Sequence, residues 1–116
     1  MHTLYGIKNC DTVKKARLWL DQNGIAYQFH DFRADGLTLE QLNHFAARVD
    51  WNSLLNRSST SWRQLSGEQQ SDLTVEKALA LMLCTPTLIK RPILENGSSI
   101  ILGFDEETYR TQIKKK

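Results

Sequence analysis

The sequence predicts an α/β fold on a mixed sheet, and three observations carry the prediction. A short apolar segment, a helix-length amphipathic segment and an alternating apolar segment open the chain; the hydrophobic period then stays helical through the middle; two apolar runs joined by an Asn-Gly turn precede a last helix. Strand, helix, strand makes the first two strands parallel, whereas the turn at Glu95-Asn96-Gly97 makes the last two antiparallel.

The elements come in this order. Within the apolar start His2 to Ile7, Thr3-Leu4-Tyr5-Gly6-Ile7 has β character and leads through Lys8 and Asn9 to Cys10. Asp11 or Thr12 caps a helix whose Val13, Ala16 and Leu20 recur at i, i+3, i+7, and Gly24 stops it. Ile25, Tyr27 and Phe29 alternate with Ala26, Gln28 and His30, the period of a second strand. After the Asp35-Gly36 break, Thr38 and Gln41 form a capping box ahead of a helix carrying Leu39, Leu42, Phe45, Ala46 and Val49. Trp51 to Leu55 and Ser61 to Leu65 read as helical turns, and Thr74 caps a helix with Val75, Ala78, Leu79 and Met82. Thr87 to Leu94 and Ser98 to Phe104 read as a hairpin, and Asp105 caps a final helix whose first turn holds Glu106 and Glu107, carboxylates that complement the helix dipole.

Composition narrows the function classes. With 116 residues, 41% of them hydrophobic, the chain is expected to be one domain over 1–116. The net charge is +2, drawn in part from a Lys114-Lys115-Lys116 tail read as a solvated end; with no basic stripe or reading motif, direct nucleic-acid binding is not expected. No leader pattern and no run of 18 apolar residues occurs, so the expectation is a cytoplasmic protein without membrane insertion. Cys10 and Cys84 lie far apart without CxxC or paired-histidine spacing, so neither a metal site nor a disulfide framework is expected.

Cys10 stands at a strand-to-helix turn, where unpaired backbone N–H groups and the positive helix end favour a thiolate. Lys8, Lys14 and Lys15 add positive charge and Asp11 opposes it, leaving the net direction open; a buried packing role is the competing reading. Cys84, in the apolar Leu81-Met82-Leu83 context, reads as core or near-core. Arg91, in an apolar run directly before Pro92, must reach solvent, find a partner or serve a site. Pro92 implies a strand start, an edge or a cis bond. Arg57 closes a helical turn, where it either complements the dipole or serves a site. His2, His30 and His44 read as structural or exposed, and Trp19, Trp51 and Trp62 as core anchors.

Four motifs, LYGIKNCDTVKKA, LLNRSSTSWRQL, TPTLIKRPILENG and LGFDEETY, resemble in content and order the arsenate reductase and Spx-like family of thioredoxin-fold proteins. The resemblance spans nearly the whole chain and implies a thioredoxin-like fold with the segment 37–83 as a helical insertion. It places the family nucleophile at Cys10, its oxyanion-holding arginines at Arg57 and Arg91, and its cis-proline at Pro92. A further family arginine is replaced by Gly103, which argues against arsenate reduction, and Val13 stands where many Spx-like regulators carry the second cysteine of a redox CxxC. The function expected from the resemblance is a single-cysteine, glutathione-dependent thiol oxidoreductase, a thiol reductase or deglutathionylase. Its resolving partner would be glutathione or a glutaredoxin-like protein, with Lys8 and Asn9 helping to shape or bind at the turn. The alternative is an Spx-like regulator that binds RNA polymerase without turnover. A monomer is expected in either case.

Overall fold

The computed structural model describes residues 2–97 and 99–113. Ser98, taken as the start of the last strand, and the lysine tail lie outside the described residues. The chain divides into two compact units, Met1–Asp35 with Arg91–Lys116, and Gly36–Lys90. The stretch 37–83 read as a helical insertion falls within the second.

The first unit contains β1 (His2–Gly6), α1 (Asp11–Gln22), β2 (Tyr27–Asp31), β3 (Ile93–Asn96), β4 (Ser99–Leu102) and α7 (Glu106–Ile113). Its sheet has the order β2-β1-β3-β4. As expected, β1 pairs parallel with β2, while β3 pairs antiparallel with β1 and β4, giving a mixed, thioredoxin-like sheet.

Three boundaries differ from the sequence reading. The cap of α1 is Cys10, not Asp11 or Thr12: its backbone is extended (φ −114°, ψ 125°) and its carbonyl accepts the Lys14 N–H at 2.9 Å. β2 begins at Tyr27 because Ile25 is drawn into closing α1. Its N–H donates to the Leu20 carbonyl (3.0 Å) and that of Gly24 to Asp21 (3.2 Å), the paired bonds of a Schellman ending. The expected strand from Thr87 is replaced by a 3₁₀ turn, Pro86–Leu88, and pairing in β3 starts only after Pro92, which has no N–H to give a ladder. The apolar text Leu88-Ile89 serves the second unit instead, where Ile89 makes an isolated antiparallel bridge with Leu55.

In the first unit Leu4, Ala16, Trp19, Leu20, Leu94 and Tyr109 form a buried cluster, with Phe29, Ile101, Phe104 and Ile113 among the side chains packed against it. Tyr109 is its hub: Trp19 and Phe104 meet its ring edge-on, at centroid distances of 5.6 and 4.8 Å. Its hydroxyl donates to the Gly103 carbonyl at 3.3 Å, and burial pushes its phenol pKa up. The cap expected at Asp105 is present, with Oδ2 accepting the Thr108 N–H at 3.0 Å.

The second unit contains α2 (Leu39–Ala46), α3 (Trp51–Leu54), α4 (Thr60–Arg63), α5 (Gly67–Gln70) and α6 (Val75–Cys84). Short helices survive there because each start is capped: Thr38 and Ser66 form capping boxes, and Asp50, Ser59 and Thr74 accept from backbone amides. Cys84 is exposed, which corrects its assignment to the core. Ala78, Leu79 and Met82 define the buried stripe of α6, and two residues beyond Met82 the helix has turned by about 200°, carrying Cys84 to the opposite side. Trp19 is buried as expected, whereas Trp51 and Trp62 are only partly buried.

Gly6 sets how closely α1 approaches β1, since a Cβ there would lie 2.7 Å from Val13 Cγ2. We predict that Gly6→Ala lowers the unfolding free energy in urea by about 1–3 kcal/mol, the usual cost of overpacking. An unchanged midpoint would show that Val13 yields without cost.

Candidate active site

Cys10 is half-buried at the start of α1. A helix leaves its first amides without intrahelical acceptors, and at α1 the N–H groups of Val13 and Thr12 point towards the sulfur. The side chain makes no close capping hydrogen bond of the kind Thr38 makes, yet these amides still favour the charged form. Arg91 supplies the other favourable contact, through both a hydrogen bond to the sulfur and its charge. Partial burial pushes the thiol pKa up, but the amides and the guanidinium together outweigh it, and the thiol ionises below its ordinary range. The direction that the sequence leaves open is therefore downward. The cation that acts on the sulfur is Arg91, whereas Lys8 is an exposed turn residue whose backbone N–H donates to Asp31.

Arg91 leads directly into a fixed stretch of backbone. The Arg91–Pro92 peptide is cis, one of the three possibilities that Pro92 implied. Pro92 is buried, and its carbonyl accepts the Gly103 N–H at 2.8 Å. Gly103 has φ +76°, a conformation that an L side chain adopts only with strain, so the position is a turn built for glycine. Arg91 is partly buried rather than on an open strand face.

Lys8 and Asn9 are both exposed in the turn between β1 and Cys10. The Lys8 N–H donates to Asp31 Oδ2 at 3.2 Å. Arg57 belongs to the second unit, where its Nη2 donates to Asn52 Oδ1 (3.0 Å) and its guanidinium carbon sits 5.4 Å from the Trp62 ring centroid. Cys10, Arg91 and Pro92 thus share one unit, and Arg57 is placed by contacts of its own.

The sequence reading passed over Asp31, the one buried charged side chain among the described residues, with 8% of its surface exposed. Burial raises its pKa, but the Arg33, Ala34 and Lys8 amides and the Arg33 charge hold the carboxyl below its usual value. A signal was present: Asp31-Phe32-Arg33-Ala34-Asp35-Gly36 at a strand end is the text of an Asx turn. Among the described residues no group of three His, Cys, Asp or Glu side chains is placed to hold a metal ion. No helix there is long and apolar enough to cross a membrane.

The chain is similar to known proteins over nearly its full length. It shares 46% identity with the YffB protein, whose solved structure superposes with a TM-score of 0.91 over 96% of this chain and 97% of that one. An arsenate reductase (ArsC) related protein from Brucella melitensis is 44% identical, with a TM-score of 0.80 over 97% of this chain and 94% of its own. More distant is the global transcriptional regulator Spx 1 of Bacillus cereus, 25% identical over 95% of this chain and 85% of that protein. The ArsC family model matches residues 5–112, and the protein is a member of the ArsC family.

Proposed function

We propose that the protein is a glutathione-dependent thiol oxidoreductase with Cys10 as its nucleophile. The observation that carries this reading is the placement of Cys10 as the N-cap of α1, where the helix amides and the Arg91 guanidinium hold its thiol below the ordinary range. A thiolate held there can attack the glutathionyl sulfur of a mixed disulfide, expelling the substrate thiolate, which takes a proton from solvent, and leaving glutathione bound to Cys10 through a new S–S bond. A second glutathione thiolate then attacks the glutathione sulfur of that adduct. Cys10 leaves as thiolate, and oxidised glutathione is the product. The net exchange converts one mixed disulfide and one glutathione into one free thiol and one glutathione disulfide, so no second protein cysteine is required. Val13 in the place of a second CxxC cysteine fits this scheme.

Arg91 would bear on both steps, since a guanidinium beside the sulfur favours Cys10 as nucleophile and as leaving group. In this reading it would also attract a glutathione carboxylate. Arg57 carries over from the family motif alone, and no role beside Cys10 is assigned to it. The alternative, a regulator that contacts RNA polymerase without turnover, draws on the similarity to Spx 1 and predicts function that survives loss of Cys10.

Incubation with a glutathione mixed disulfide, followed by intact mass and peptide mapping, tests the reading. The expected adduct is one glutathione on Cys10, released by added glutathione, and Cys10→Ser should abolish turnover while keeping the native circular dichroism. No adduct, or one confined to exposed Cys84, would exclude the mechanism. Arg91→Ala should slow Cys10 alkylation at neutral pH about tenfold, the scale of losing a hydrogen bond to a charged group, and Arg91→Lys should slow it less. Equal rates in all three proteins would remove Arg91 from the site.

A further inference from the structure

The turn that delivers Cys10 to α1 is short, exposed at Lys8 and Asn9, and joined to its neighbour at few points. One is fixed by strand pairing. The parallel register of β1 and β2 ends with Gly6 opposite Asp31, and the Phe32 N–H donates to the Gly6 carbonyl at 2.8 Å. The next is a side chain. Asp31 turns its carboxylate back on the backbone: Oδ1 accepts from the Arg33 and Ala34 amides (2.8 and 3.3 Å), while Oδ2 accepts from Lys8 (3.2 Å). The aspartate itself is fixed on both sides, since its N–H donates to Asp35 Oδ2 (2.9 Å) and its carbonyl accepts the Asp35 N–H (2.7 Å).

Asp31 exposes only 8% of its surface, and the hydrogen bonds its carboxylate accepts from Arg33, Ala34 and Lys8 come from backbone amides rather than from a cation's side chain. Two of the three amides belong to Asp31's own turn and would be served equally well by an exposed Asx turn. The third belongs to another element and lies two residues before Cys10.

We propose that Asp31 is a positioning residue for Cys10: by accepting the Lys8 N–H, its carboxylate holds the Ile7–Asn9 turn so that Cys10 enters α1 as the N-cap facing the helix amides. The proposal rests on the reading of Cys10 as the reactive thiol. Asp31 touches no reacting atom in this account and acts through the backbone of Lys8.

The two ways in which a buried aspartate can influence a nearby thiol have opposite signs. As a negative charge it disfavours the thiolate, so neutralising it would lower the Cys10 pKa; as a positioning group it keeps the sulfur on the amides, so loosening it would raise that pKa. Asp31→Asn separates the two, because one face of the asparagine still accepts from Arg33 and Ala34 while its amide group meets the Lys8 N–H donor to donor. A second variant removes only the contact. Ligation of a synthetic 1–9 segment at the natural Cys10 junction can replace the Lys8 amide by an ester, which leaves Asp31 and every side chain intact.

The experiment is the pH profile of Cys10 alkylation in Cys84→Ser protein, carried out on the parent, on Asp31→Asn and on the Lys8 ester, each checked for native circular dichroism. The expected result is a midpoint shifted upward in both variants and an alkylation rate at neutral pH reduced at least about threefold, as the thiolate fraction falls. A downward shift in Asp31→Asn would assign a purely electrostatic influence and overturn the proposal. So would an unchanged midpoint in the folded ester, even if Asp31→Asn fails to fold. A parent midpoint at the ordinary thiol value would instead fail the reading of Cys10 itself, so the two failures are distinguishable.

Discussion

The geometry around Cys10 depends on the parallel pairing of β1 with β2, which runs from His2 opposite Tyr27 to Gly6 opposite Asp31. That register brings the end of β2 against the turn leaving β1, so Gly6 and Lys8 find partners in Phe32 and Asp31. It also aims the chain into α1. Because Gly6 has no side chain, the first turn of α1 can lie close enough for Val13 to touch it, and the Val13 amide is one of the groups that act on the sulfur. A shift of register by one residue would exchange the faces of the strand and undo all of these contacts together.

From the other side the site is completed by a segment distant in sequence. Arg91 reaches the sulfur because β3 lies beside β1 in the antiparallel register Tyr5↔Ile93, which brings the start of β3 towards the end of β1. Gly103, with its amide on the Pro92 carbonyl, ties the end of β4 to that start. The result is a half-buried thiol with amide dipoles and a guanidinium favouring its charged form. Linkage gives the consequence for stability: a thiol that ionises at lower pH in the folded chain than in the unfolded one stabilises the fold fully above the ordinary thiol range. That contribution is lost as the pH falls through the folded-state value.

Much of this was legible in the sequence, and the reasons differ from one residue to the next. Hydrophobic period and turn text located β1, α1, the Thr38 capping box and the Asp105 cap, because each is decided within a few residues. The cysteine at the strand-to-helix turn and the arginine before Pro92 were visible for the same reason. What escaped notice depends on contacts between segments. Asp31 gains its importance only from register with Gly6, Ile25 left its strand because the end of α1 needed its amide, and Leu88 and Ile89 answered to Leu55 rather than to the hairpin. Cys84 was misplaced by composition: its neighbours are apolar, but the helical period set by Ala78, Leu79 and Met82 turns it outward.

The central claim is that the fold itself lowers the ionisation threshold of Cys10. The most direct measurement is thiolate ultraviolet absorbance against pH in Cys84→Ser protein, first folded and then in denaturant. Cys10 is predicted to titrate below about 8.5, the free-cysteine value, when folded, and to return to that value on unfolding. Superimposable titrations of the folded and unfolded chains would contradict the account.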